Sequence, residues 1–105
     1  MEFDFLTLLD ILNSQQFRTV LLFSLGLETC QIADLLETNE FTVWTSLRES
    51  MTRSGCRNSK ELTLRMLHEC KNNLYDEGRI KRELADLQSA AQRMLQGISA
   101  TALPN

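Results

Sequence analysis

Apolar residues recur along most of this chain at spacings of three and four, the period of one helix face. The clearest case is the stretch 26–62, GLETCQIADLLETNEFTVWTSLRESMTRSGCRNSKEL, and the rest of the chain is read around it. Ile32, Ala33, Leu35 and Leu36 form a first apolar face. The polar turn Thr38-Asn39-Glu40 interrupts it, and Val43, Leu47 and Met51 resume at i, i+4 and i+8. Asn39 suits an N-cap, because its side-chain oxygen can accept a bond from an orphan amide of the next turn. The small Ala33 lets the second helix cross close to the first. This is the layout of a helix-turn-helix, whose second helix enters the DNA major groove.

The flanking segments follow the same period. Phe5, Leu8, Leu9 and Leu12 predict a helix over about 3–12, with Glu2 and Asp4 near its positive end. Asn13-Ser14 then offers a stop and a new cap. Phe17, Val20, Leu21 and Phe23 predict a helix from Gln15 to Leu25, closed by Gly26. Helices over about 29–36 and 40–54 follow, the latter ended by Gly55. Another starts near Ser59 and runs to Leu74, with Leu62, Met66, Leu67, Cys70 and Leu74 inward.

Past Gly78, residues Ile80, Leu84, Leu87, Ala91, Met94 and Ile98 make a heptad-like seam with charged and amide flanks. A core-facing amphipathic helix over 79–98 would carry such a seam. A dimerisation surface is the expectation, because a small domain closed by its earlier helices has little core left. The tail 99–105 is expected to fray. The chain therefore reads as all-α, a single domain over 1–105. It is a small helical bundle with a helix-turn-helix core over 12–70 and an additional C-terminal dimerising helix.

The chain's 105 residues allow one modest core and little room for a deep enzymatic cleft. No apolar run approaches the roughly 18 residues of a membrane span, and a cytoplasmic protein with no membrane partner is expected. Cys30, Cys56 and Cys70 are an odd, widely spaced set that matches no zinc spacing, so incidental thiols are expected, with no metal and no cofactor. The net charge of −3 opposes generic DNA binding, but its distribution does not. Residues 1–47 hold seven acids against Arg18, whereas residues 48–105 hold ten bases against seven acids. The window 48–60 carries Arg48, Arg53, Arg57 and Lys60 against Glu49 alone, a strip able to meet phosphate.

Leu12, Val20-Leu21-Leu22, Gly26, Ile32-Ala33 with Leu36, Thr42-Val43, Leu47, Gly55 and Glu61-Leu62 stand in an order and spacing that resembles the LuxR-type (GerE-like) helix-turn-helix. That domain is the output module of many bacterial response regulators and quorum sensors. The resemblance covers about 12–70 without a gap and implies a four-helix DNA-binding core. By the family's pattern, Trp44, Thr45 and Arg48 read bases, and Thr42 and Arg53 meet phosphate. Arg57 and Lys60 extend the phosphate set from the basic strip. The chain departs from the pattern at Trp44, where the family carries lysine, at Ser46 in place of histidine, and at Thr38, Ser50 and Ser54 in place of aliphatic residues.

An exposed Trp44 has three readings: pressing on a thymine methyl, anchoring a protein partner, or folding back into the core. Arg48 suits a bidentate contact with guanine. No residue pattern resembles an active site. His68 and Cys70 do not share a helix face, and the four glycines form no phosphate cradle. The expectation is a homodimeric, sequence-specific bacterial transcription regulator that is not an enzyme and binds double-stranded DNA. The alternative is an antagonist or co-regulator that keeps the fold and captures another transcription regulator through Trp44.

Overall fold

Three asparagines start three helices by the same device. The side-chain oxygen of Asn13 accepts the Gln16 N–H at 2.8 Å, that of Asn39 the Thr42 N–H at 2.8 Å, and that of Asn58 the Glu61 N–H at 2.9 Å. The computed structural model describes the backbone of residues 6–102 and the side chains of residues 6–96. Among these the helices are α1 (Leu8–Ile11), α2 (Ser14–Ser24), α3 (Thr29–Leu35), α4 (Glu40–Ser54), α5 (Ser59–Lys71) and α6 (Glu77–Ala102). The architecture is all-helical, a small bundle.

Four of these helices end alike. An amide five residues along returns to a carbonyl of the last turn in Leu27 to Leu22, Thr38 to Ala33, Cys56 to Met51 and Leu74 to Glu69. Each closure needs a left-handed residue. Gly26 (φ 96°) and Gly55 (φ 76°) supply it cheaply, while Glu37 (φ 57°) and Asn73 (φ 53°) adopt it without being glycine.

The centre of the packing is α2, which touches every other helix. Phe17 and Val20 are fully buried, and Leu8, Ile32, Val43, Leu47, Leu62 and Met66 close around them. The pair α3–α4, read from the sequence as the organising stretch, is thus one wall of a core built on α2. The predicted helix over 3–12 is corrected: Leu6 and Thr7 are not helical, and α1 is four residues long. Its start is set by Asp10, whose carboxylate accepts the Thr7 N–H at 3.1 Å and the Thr7 hydroxyl at 3.0 Å. Those bonds, the Thr7 amide foremost, hold the Asp10 carboxyl below its ordinary pKa. Phe3 and Phe5 lie outside the described residues.

Two burial patterns differ from expectation. On α4 the buried stripe is Val43, Ser46, Leu47 and Ser50, with Met51 only half-buried. The serines let α4 press closely on α2, and the Ser50 hydroxyl stays satisfied by donating to the Ser46 carbonyl at 2.7 Å. On α5, Leu62 and Met66 are inward, but Leu67, Cys70 and Leu74 are exposed. The third buried position is Glu69, 4% exposed. Its carboxylate accepts the Leu8 N–H at 2.8 Å and the Arg65 guanidinium at 3.0 Å, while Arg65 also donates to the carbonyls of Leu6 and Ser54. A buried carboxylate held this way can replace a leucine in the stripe. The chain then turns at Asn73, which carries Leu74 off the helix.

The C-terminal helix α6 lies against the bundle. Leu87 (8% exposed) and Ala90 enter the core, and Ile80, Ala91 and Met94 pack on its edge. Arg18 of α2 pairs with Glu83 and Asp86, Arg79 bonds Asp10 and the Leu9 carbonyl, and Arg93 approaches Glu37 at 3.4 Å. The expected dimerisation seam is therefore corrected at Leu87, which the chain's own core occupies. Leu84 (44% exposed) remains outside, with Leu95 (61% exposed) eleven residues on, nearly on the same side of the helix. The side chain of Ile98 lies outside the described residues. Helix α6 continues to Ala102, past the expected fraying point, because Ser99 to Ala102 contain no breaker. No helix among the described residues is long and apolar enough to cross a membrane.

Candidate nucleic-acid interface

The turn between α3 and α4 is short because both of its ends are closed. The Thr38 amide returns to the Ala33 carbonyl at 2.8 Å, and Asn39 caps α4 one residue later. The Thr29 hydroxyl of α3 donates to the Glu40 carboxylate at 2.8 Å, which ties the two helix starts together. With Val43, Ser46, Leu47 and Ser50 buried, the opposite side of α4 faces solvent. Residues 41, 45, 48 and 52 run along its centre at i, i+4, i+7 and i+11.

The fold places the expected residues as follows. Arg48 is exposed in the middle of this face and Thr45 is half-buried beside it. Trp44 lies on one flank and is 52% exposed, so its core reading falls. Thr42 and Arg53 lie on the other flank, next to the start of α2. The Thr42 amide is used by Asn39, and the Arg53 guanidinium donates to the Gln16 carboxamide oxygen at 3.4 Å. Arg57 and Lys60 stand beyond the Gly55 turn. Arg57 is bound to Glu61 through its guanidinium at 2.7 Å and its backbone amide at 2.8 Å. The side-chain bond raises the Arg57 pKa and lowers that of Glu61. Among the described residues Arg48 and Lys60 make no ion pair. The strip of four bases is thus two uncommitted cations, one guanidinium resting on an amide and one paired at the surface.

Two residues of the face, Phe41 and Gln16, escaped the sequence reading. Phe41 is 78% exposed in the first turn of α4, on the central line. The periodicity 41, 45, 48, 52 carries that signal, but an aromatic residue two positions before the buried Val43 reads as core. Gln16 is buried between α2 and α4. Its amide nitrogen donates to Glu49 at 3.1 Å and its oxygen accepts from Asn13 and Arg53, which fixes the rotation of α4 against α2. Glu49 adds a carboxylate beside the cations. A groove between the two helices, lined by Asn13, Gln15, Gln16, Phe41, Thr45 and Glu49, joins these groups.

Such a surface offers guanidinium, hydroxyl and aromatic groups side by side on α4, with the Gln16 carboxamide of α2 beside them. It is suited to reading a mixed polar and apolar partner. Among the described residues no three His, Cys, Asp or Glu side chains gather as metal ligands. No protein-family model, curated protein or solved structure matches the chain.

Proposed function

We propose that this chain is a sequence-specific DNA-binding regulator of the LuxR type, acting in the bacterial cytoplasm and without catalytic chemistry of its own. The observation that carries the reading is the solvent face of α4, which presents Thr45 and Arg48 on a helix held by a closed turn and packed on α2. In this reading α4 enters the major groove, and Trp44, Thr45 and Arg48 meet base edges. Thr42, Arg53, Arg57 and Lys60 meet phosphates. Arg57 can do so because an exposed pair with Glu61 is weak enough to exchange for a phosphate oxygen. Two copies joined through the outward part of α6 would place two recognition helices about one DNA turn apart.

The test is selection of bound duplexes from a random pool at low salt, followed by a salt titration of the winner. A palindromic motif whose affinity falls steeply with salt is expected. Arg48→Ala should then relax one position of the motif by roughly 1–3 kcal/mol. A uniform loss across all sequences would assign Arg48 to phosphate, and absence of any motif would remove the reading.

The exposed Trp44 indole beside Phe41 favours a second reading, a protein that captures another transcription regulator on this face. Loss of partner capture by Trp44→Ala, in a protein with no DNA affinity to lose, would support it.

A further inference from the structure

We infer that Phe41 is a specificity residue of the recognition helix and that it reads the methyl group of a thymine. The inference rests on the DNA-binding reading of α4 and names one of the bases that it takes.

Phe41 is the most exposed large apolar side chain among the described residues, at 78%. It stands in the first turn of α4, the part of a recognition helix that points at base edges. Its backbone is not free to bury it. The Asn39 cap and the Val43, Ser46, Leu47 and Ser50 stripe set the rotation of α4, and Gln16 locks that rotation through Glu49 and Arg53. With the helix so held, residue 41 must face outward whatever its side chain.

The groove beside the ring identifies its occupant. Across it lie Asn13, Gln15, Gln16, Thr45 and Glu49, which are amides, a hydroxyl and a carboxylate. A docking site for an apolar protein segment would surround the ring with further apolar side chains on this side. Thymine instead presents a methyl next to a hydrogen-bond acceptor, and phenylalanine is a suitable contact for that methyl. Arg48 lies seven residues on, two turns along the same line. A thymine read at the start of α4 and a guanine read near its middle would therefore sit within one motif.

The experiment starts from the duplex that the full-length chain selects. Each thymine of the site is replaced in turn by deoxyuridine, which removes only the methyl. Affinities are measured for wild type, Phe41→Ala, Phe41→Leu and Trp44→Ala, with helix content checked by circular dichroism. The expected result is one position at which deoxyuridine weakens wild type about fourfold, the worth of one buried methyl group. Phe41→Ala should bind the thymine site more weakly and be indifferent to that replacement. Phe41→Leu and Trp44→Ala should keep the penalty. The inference is overturned if the motif holds no thymine, if no replacement affects wild type, or if the penalty survives in Phe41→Ala. In those cases DNA binding itself stands. If wild type selects no motif, the DNA-binding reading fails first and the inference falls with it.

Discussion

Glu69 shows how one residue can set the packing of a small bundle. A carboxylate on the buried stripe of α5 is stable only because the Leu8 amide and the Arg65 guanidinium both bond it. Glu69→Ala should lower unfolding stability by about 3 kcal/mol in urea titration, because it strands a buried amide and frees Arg65. Glu69→Gln, which can still accept from Leu8, should fall between the alanine variant and wild type. Tyr75 makes a second prediction at this scale. Its hydroxyl donates to the Met66 sulfur at 3.0 Å, its ring packs edge-on against Phe17, and burial together with the Glu69 charge pushes its pKa far above the ordinary phenol range. A folded-state pKa above the unfolded one means that the contribution to stability is complete below about pH 10 and is lost as pH rises beyond it. This is the only tyrosine in the chain. Phenolate absorbance should therefore appear together with loss of helix signal, and Tyr75→Phe should reduce the alkaline loss of stability. Titration of the tyrosine in a chain that is still fully helical would refute this.

At the scale of elements, helix ends were the most legible part of the chain. Asn39 and Gly55 bracket α4 at its expected bounds, because a cap or a left-handed glycine acts within a few residues of itself. Asn39→Ala should cost about 1 kcal/mol in chemical denaturation. If α4 reads DNA, that variant should also lose affinity at unchanged base preference, since it loosens the start of the helix without removing a base contact. Which side of each helix is buried was less legible. The sequence of α4 offers Met51 as a core residue, yet Ser46 and Ser50 are the buried positions and Met51 is half-buried. On α5 the apolar Leu67 looks inward by period, yet the helix is turned so that Glu69 faces α1.

For the whole molecule the deciding element is α6. A seam of apolar residues has the same appearance whether it meets another copy or its own core, and here Leu87 and Ala90 meet the core. Leu87→Ala should therefore destabilise the monomer fold by about 2–5 kcal/mol, whereas Leu84→Ala should cost less than about 1 kcal/mol. The proposed dimer must use what remains outside. Combining Leu84→Glu with Leu95→Glu should produce a folded monomer in sedimentation, and an unchanged dimer would exclude this face. Two of the chain's acids, Glu83 and Asp86, pair with Arg18 between α2 and α6, away from the solvent face of α4.

The sequence by itself determined the all-α class, the spans of α2 to α5 within a few residues, the closed turn before α4 and the outward position of Arg48. All of these follow from interactions reaching no further than one or two helical turns. Only the tertiary structure decided that α2 is the centre, that Glu69 is buried and that Leu87 belongs to the core. Each of those depends on which helix lies opposite, a relation between residues tens of positions apart. Local period reports that a helix has an apolar side, and packing selects which of its residues are covered.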